Sequence, residues 1–218
     1  MEDGTGLKRF HNLYPERFFD VGIAEEHAVT FAAGMAKAGL KPVFAVYSSF
    51  LQRAYDQILH DVCLQKLPVV FAIDRAGIVG KDGATHQGIF DLSYLSSIPN
   101  LTIMAPKNKW EFSDMLKFAI AADYPVAIRY PRGDACDLWK EMRAPIVQGK
   151  SEVLCEGTHV ALFAIGTMVE TAWKVKEQLA ERDITATVVN ARFMTPLDEK
   201  AILSAAEKYP LIVTMEEN

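Results

Sequence analysis

Five short stretches of this chain, 17–21, 42–46, 68–73, 101–104 and 126–129, are dominated by apolar residues, and helical periodicity fills 24–38, 49–65 and 109–122. A strand with one face in water alternates apolar and polar residues, whereas a continuous apolar run needs cover on both faces. Strands of that kind, separated by helices, predict an α/β fold with a doubly wound parallel sheet. Asn108 reads as the N-cap of the helix at 109–122, with Glu111 three residues on. Beyond an irregular stretch, strands at 160–165, 185–190 and 211–215 alternate with helices at 168–181 and 198–209. The expected organisation is a first α/β domain over 1–135, a linker over 136–157 and a second α/β domain over 158–218. With three strands, two helices and no helix to cover its last strand, the second domain reads as partial. The N-terminus is equally abrupt.

Composition narrows the function. The 218 residues are 50% hydrophobic, enough for one large core or two modest ones. A formal net charge of -5 with scattered lysines and arginines argues against a nucleic-acid surface. Cys63, Cys136 and Cys155 are far apart and form no C-x-x-C pair, so neither a disulfide framework nor a zinc site is indicated. No run reaches the roughly 18 apolar residues of a membrane span, and the polar N-terminus lacks a signal-peptide core. A cytoplasmic chain without membrane contact or metal ligands of its own is expected.

Between the strand at 68–73 and Asp91 runs Asp74-Arg-Ala-Gly-Ile-Val-Gly-Lys-Asp-Gly-Ala-Thr-His-Gln-Gly-Ile-Phe-Asp91. A loop this long in a compact domain lines a site or is disordered, and the apolar segments flanking it favour a site. Its glycines let backbone approach a ligand, while Arg75, Asp82 and His86 supply charge and proton transfer. Ligands of open α/β sheets bind beyond the carboxyl ends of strands. Tyr47, the loop at 74–91, Arg129 and Arg132 all follow strand ends, which gathers them at one edge. Arginines there suit an anionic substrate, although an arginine on a surface turn is equally ordinary.

Where the strand at 17–21 meets the helix at 24–38, Glu25 heads an apolar stripe of Ala28, Val29, Ala32, Met35 and Ala36, and Glu26 is turned about 100° away. Glu25 should therefore point inward and Glu26 outward. The helix dipole alone favours acids in a first turn, but a carboxylate heading a buried stripe needs a partner or a task. On the helix at 49–65, Leu51, Ala54, Ile58 and Val62 form the packing stripe. Phe50 and Arg53 lie one turn apart; taken alone they are a core aromatic and a solvated charge. His11, His27 and His60 lack metal-ligand spacing.

Several segments are distinctive in combination. They are Asp20-Val-Gly-Ile-Ala-Glu-Glu-His-Ala-Val-Thr-Phe-Ala-Ala-Gly34, Tyr47-Ser-Ser-Phe-Leu-Gln-Arg-Ala-Tyr-Asp-Gln57, Asp74-Arg-Ala-Gly-Ile-Val-Gly80, Asp82-Gly-Ala-Thr-His-Gln-Gly-Ile-Phe-Asp-Leu-Ser-Tyr94, Arg129-Tyr-Pro-Arg-Gly133 and Arg192-Phe-Met-Thr-Pro-Leu-Asp198. Together they resemble the 1-deoxy-D-xylulose-5-phosphate synthase family, a branch of the transketolase-type thiamine diphosphate enzymes, from about Gly4 to Asn218. The resemblance implies a pyrimidine-binding domain over 1–135 and part of a transketolase C-terminal domain over 158–218. The Gly-Asp-Gly…Asn pattern that holds Mg2+ and the diphosphate in this family is missing here.

The resemblance also implies roles. Glu25 hydrogen-bonds ring nitrogen N1′ of thiamine diphosphate and favours the tautomer that takes up the C2 proton, Phe50 stacks on that ring, and Ile23 contacts the cofactor. Tyr47, Arg53, Arg75 and one of Arg129 and Arg132 bind the triose phosphate, while Asp82 and His86 handle substrate hydroxyls and protons. The implied reaction condenses pyruvate with glyceraldehyde 3-phosphate and releases CO2, supplying isoprenoid, thiamine and pyridoxal biosynthesis. It takes place in a homodimer whose absent N-terminal domain holds Mg2+, so this chain alone is expected to be inactive. Two other readings stay open. One is a separately encoded half of another thiamine diphosphate enzyme, such as a split transketolase or a 2-oxo acid dehydrogenase β-subunit; the loop at 74–91 speaks against it. The other is a non-catalytic paralogue, disfavoured by Glu25, Arg75, Asp82 and His86 occurring together.

Overall fold

A computed structural model describes residues 2–217. Strands β1 (Val43–Tyr47), β2 (Val70–Asp74), β3 (Thr102–Met104) and β4 (Val126–Arg129) run parallel in the order β1-β2-β4-β3. The helices of this half are α1 (Lys8–Leu13), α2 (Glu25–Lys37), α3 (Ser48–Leu51), α4 (Tyr55–Gln57), α5 (Asp91–Ser96) and α6 (Lys109–Ala121). Strand residues feed two cores. Val46, Phe71, Ile73, Ile103 and Ala127 pack with Val29, Ala32 and Ala36 of α2 and with Leu51 and Ile58. Val70, Met104, Val126 and Ile128 pack on the other face against Met115 and Ala119 of α6. Cover on both faces is why these strands show no polar alternation.

Two expected elements differ. The stretch at 17–21 forms no strand: Pro15–Arg17 is a 3₁₀ turn, and the chain then runs irregularly into α2. Asp20 accepts a hydrogen bond from the Gly22 amide at 2.8 Å, a local turn that competes with strand pairing. The helix expected at 49–65 is interrupted. A 3₁₀ stretch, Gln52–Ala54, separates α3 from α4, and a π-helical stretch, Ile58–Cys63, follows. Its stripe of Leu51, Ala54, Ile58 and Val62 is nevertheless fully buried, as the spacing predicts.

The second sheet has the order β5-β7-β6-β9. Strands β6 (Val160–Ala164), β7 (Ala186–Asn190) and β9 (Ile212–Met215) are parallel, with α7 (Met168–Ala180) on one face and α8 (Glu199–Lys208) on the other. Strand β5 (Glu152–Cys155), antiparallel to β7, lies inside the stretch expected as linker. Strand β8 (Phe193–Thr195) leaves the second half of the chain and pairs antiparallel with β3, so the first sheet ends on it.

A buried charged network seals the junction beside β8. Lys107 donates to Glu111 at 3.2 Å and to Glu152 at 2.5 Å. The Arg192 guanidinium reaches Glu111 at 2.8 Å and Glu152 at 3.1 Å, and Asn190 donates to Glu111 at 3.0 Å. Asn108 accepts from the Glu111 amide, capping α6 as expected. Two cations face two carboxylates, so no net charge is buried.

Candidate active site

Parallel pairing sets Tyr47 opposite Asp74 and Ile73 opposite Arg129, so the carboxyl ends of β1, β2 and β4 lie side by side. Arg75 follows β2 with φ +60°, a left-handed conformation that costs a non-glycine residue about 1–3 kcal/mol and persists only where its surroundings hold it. Here Asp74 holds it. One carboxylate oxygen accepts from the Arg75 amide at 2.7 Å and the other from its guanidinium at 2.5 Å. The guanidinium also donates to Asp82 at 2.8 Å and to the Gly4 carbonyl at 3.1 Å, and lies 3.7 Å over the Tyr47 ring. Arg132 meets the same Asp82 oxygen at 3.1 Å. Paired amides and carbonyls of Gly77 and Gly88, each 2.8 Å apart, pinch the loop shut. A Cβ on Gly88 would fall 2.2 Å from the Arg75 carbonyl oxygen, which explains the glycine.

Aromatic contacts carry the site onward. Tyr47 stacks on Phe50 with centroids 5.3 Å apart, and the His86 ring stands 5.2 Å from Phe50 and 6.1 Å from Tyr47. Arg53 sits over the Phe50 ring, 4.9 Å from its centroid, and donates to Glu25 at 3.0 Å. Glu25 is 5% exposed and Glu26 is exposed, as the helical spacing predicts. Glu25, Arg53, Phe50, Tyr47, His86, Arg75, Asp82 and Arg132 thus form one unbroken series of contacts.

Two expected residues stand outside that series. Ile23 is 73% exposed beside the head of α2. Arg129 is 4% exposed and donates to Asp91, itself fully buried, at 3.0 Å. Of the two arginines at the carboxyl end of β4, only Arg132 keeps its guanidinium at the site.

Asp74 was missed as a site residue and Asp91 as the buried partner of Arg129. Their signal was position: one ends a strand, the other opens α5 directly after the loop. Burial pushes the Asp74 carboxyl above its ordinary range, with Arg75 opposing and Asp82 adding to the shift. Burial likewise raises the Tyr47 phenol, against the pull of Arg75.

The Glu25 end suits a nitrogen heterocycle. One carboxylate oxygen is held by Arg53, and the other makes no hydrogen bond among the described residues. A buried acceptor, a partly exposed aromatic face at Phe50 and the exposed side chain of Ile23 are what a flat ring with a donor nitrogen needs. Among the described residues, no group of three or more His, Cys, Asp and Glu side chains is placed to hold a metal ion.

Residues 1–136 match the transketolase pyrimidine binding domain and residues 149–218 the transketolase C-terminal domain. Over its whole length the chain is 61% identical to a 1-deoxy-D-xylulose-5-phosphate synthase from Lachnoclostridium phytofermentans and 60% identical to one from Desulforudis audaxviator. It spans only 35% and 34% of those two relatives. A solved split gene transketolase, described as an inactive β4 tetramer, superposes with TM-score 0.87 at 31% identity, covering 95% of this chain and 67% of that one. A Pichia stipitis transketolase shares the fold, with TM-score 0.72 at 21% identity over 88% of this chain and 29% of its own. The chain therefore belongs to the transketolase family, whose pyrimidine binding domain occupies residues 1–136.

Proposed function

We propose that this chain supplies, to a 1-deoxy-D-xylulose-5-phosphate synthase, the side chains that hold the aminopyrimidine of thiamine diphosphate and the phosphate of glyceraldehyde 3-phosphate. The observation that carries this reading is Glu25: a buried carboxylate at a helix start, with one oxygen held by Arg53 and the other making no hydrogen bond among the described residues. The bound cofactor would supply an electron sink for decarboxylating pyruvate and forming the new carbon–carbon bond. Glu25 would hold a proton at ring nitrogen N1′, and Phe50 and Ile23 would give that ring its apolar walls. Arg75 and Arg132 would grip phosphate with forked donors, Tyr47 adding its hydroxyl. Asp82 and His86 would meet the substrate hydroxyls and exchange protons with them. Mg2+ and the diphosphate would be held outside these residues, in a cytoplasmic homodimer. No helix among the described residues is long and apolar enough to cross a membrane.

The likeness to a split gene transketolase favours a second reading, ketol transfer between sugar phosphates by a separately encoded subunit. One assay separates the two. The chain, assembled with the remaining region its synthase relatives carry, is given pyruvate and glyceraldehyde 3-phosphate. CO2 release with formation of the five-carbon phosphate is expected. Glu25→Ala should reduce it by about 10²–10⁴-fold, the usual worth of an acid-base group. Glu26→Ala should leave it intact. Ketol transfer from a ketose phosphate without loss of CO2 would establish the second reading instead.

A further inference from the structure

We propose that Arg53 is a positioning residue for Glu25 and not a ligand of the triose phosphate. The inference rests on the role given to Glu25 above. Arg53 Nη1 lies 3.0 Å from Glu25 Oε1, and it is the one donor to that carboxylate among the described residues. The guanidinium is also seated over Phe50, 4.9 Å from the ring centroid, so its own position is fixed from two sides. Arg75, Arg132 and Asp82 form their own cluster, and Tyr47 and Phe50 stand between that cluster and Arg53. Among the described residues, no hydrogen bond or ion pair joins Arg53 to it.

The torsion that turns a glutamate carboxylate is broad and nearly free. Fixing Oε1 with a donor that is itself seated on Phe50 removes that freedom, and so fixes where Oε2 lies. A hydrogen bond to a ring nitrogen depends on that placement, because misplacement of a catalytic group carries a large rate penalty. The local backbone serves the same end. Arg53 lies in the 3₁₀ stretch Gln52–Ala54, between two buried neighbours of the packing stripe, Leu51 and Ala54. Its side chain, 48% exposed, is carried over the mouth of the site and not into the core. Lysine could restore the charge but not the planar fork that sits on Phe50 while holding one oxygen.

The experiment reads two quantities. In the assembled synthase without any triose phosphate, exchange of the cofactor's C2 hydrogen with deuterium is followed by NMR. Arg53→Ala should slow it by about ten- to a hundredfold, the worth of one charge-assisted hydrogen bond. Arg53→Lys should recover part of the loss, and the KM for glyceraldehyde 3-phosphate should stay near wild type in both. Exchange at the wild-type rate, with that KM raised tenfold or more, would overturn the inference.

The second readout needs no cofactor and no alanine variant. In the ¹⁵N-labelled chain, the side-chain signal of Arg53 (assigned by its loss in Arg53→Lys) should move on Glu25→Gln and ignore inorganic phosphate. A signal that ignores Glu25→Gln and follows phosphate would overturn the inference independently. Glu25→Ala separates the two levels of the proposal. Exchange lost in Glu25→Ala but untouched in Arg53→Ala defeats the role of Arg53 alone. Exchange untouched in Glu25→Ala defeats the reading beneath it.

Discussion

Arg129 turns its guanidinium into the fold against Asp91, whereas Arg132 leaves part of its own in solvent beside Asp82. The sequence places both around the carboxyl end of β4 and cannot tell them apart, because what separates them is a partner 38 positions away. Glu25 and Glu26 are the opposite case. Helical geometry alone puts adjacent residues on different faces, so inward and outward could be read without a structure. Arg53, read alone as a solvated charge, gains a site role only from the family resemblance, and its pairing with Glu25 was not legible, since the two are 28 positions apart and no local period connects them.

The two arginines should fail differently on replacement. Arg129→Ala removes the cation facing a fully buried carboxylate, which should cost about 3–5 kcal/mol in urea unfolding. Arg132→Ala should shift stability by less than about 1 kcal/mol, as for exposed ion pairs, while weakening capture of glyceraldehyde 3-phosphate by about ten- to a hundredfold. Glyceraldehyde without its phosphate should show little of that penalty. Equal penalties for the two aldehydes would remove Arg132 from the phosphate site.

Elements were legible wherever packing from both sides erased polar alternation, as in β2, β3, β4, β6 and β7. They were not where the chain's own side chains compete with pairing, as Asp20 does at 17–21, or where a short, only partly buried strand pairs with a residue run about 90 positions away, as β8 does with β3. The broken helix from Ser48 to Cys63 was misread because its packing stripe survives the change of helical type: local tightening at 52–54 and widening at 58–63 leave the same residues facing inward.

Glycines test these elements sharply. Gly34, inside α2, has no heavy atom within 4 Å of where a Cβ would stand apart from its chain neighbours and the helix's own backbone. Gly34→Ala should raise stability by about 0.4–1 kcal/mol, by restricting the unfolded chain. In Gly88→Ala the new Cβ would collide with the Arg75 carbonyl and with Ser48, so the loop must open. Turnover of the assembled enzyme should fall far more than its melting temperature. Activity preserved in Gly88→Ala would mean that the closed loop is not the working one.

At the scale of the molecule, two sheets meet through the network of Lys107, Glu111, Glu152, Asn190 and Arg192 and through β8. Neither was visible beforehand. The network joins charges from separate elements, and an isolated Lys107 or Glu152 reads as an ordinary surface residue. Removing Arg192 leaves two buried carboxylates facing one lysine, which should cost about 3–5 kcal/mol. Hydrogen exchange measured across a denaturant series is the appropriate probe. In the wild-type chain, amides of β2 and β6 should converge on one opening free energy. In Arg192→Met those of β6 should open first. Coincident opening in the variant would show that the junction does not couple the sheets.

The placement of β8 bears on how such a chain can be divided. Cutting within 136–149, where composition suggests a natural seam, would remove β5 through β9 and with them the antiparallel neighbour of β3. The buried apolar strand β3 would then carry an edge of unpaired amides and carbonyls, which a foreign strand can join. A recombinant first half ending there would be prone to edge-to-edge clumping, and a soluble version would need residues 193–195 grafted back or charged residues placed along β3.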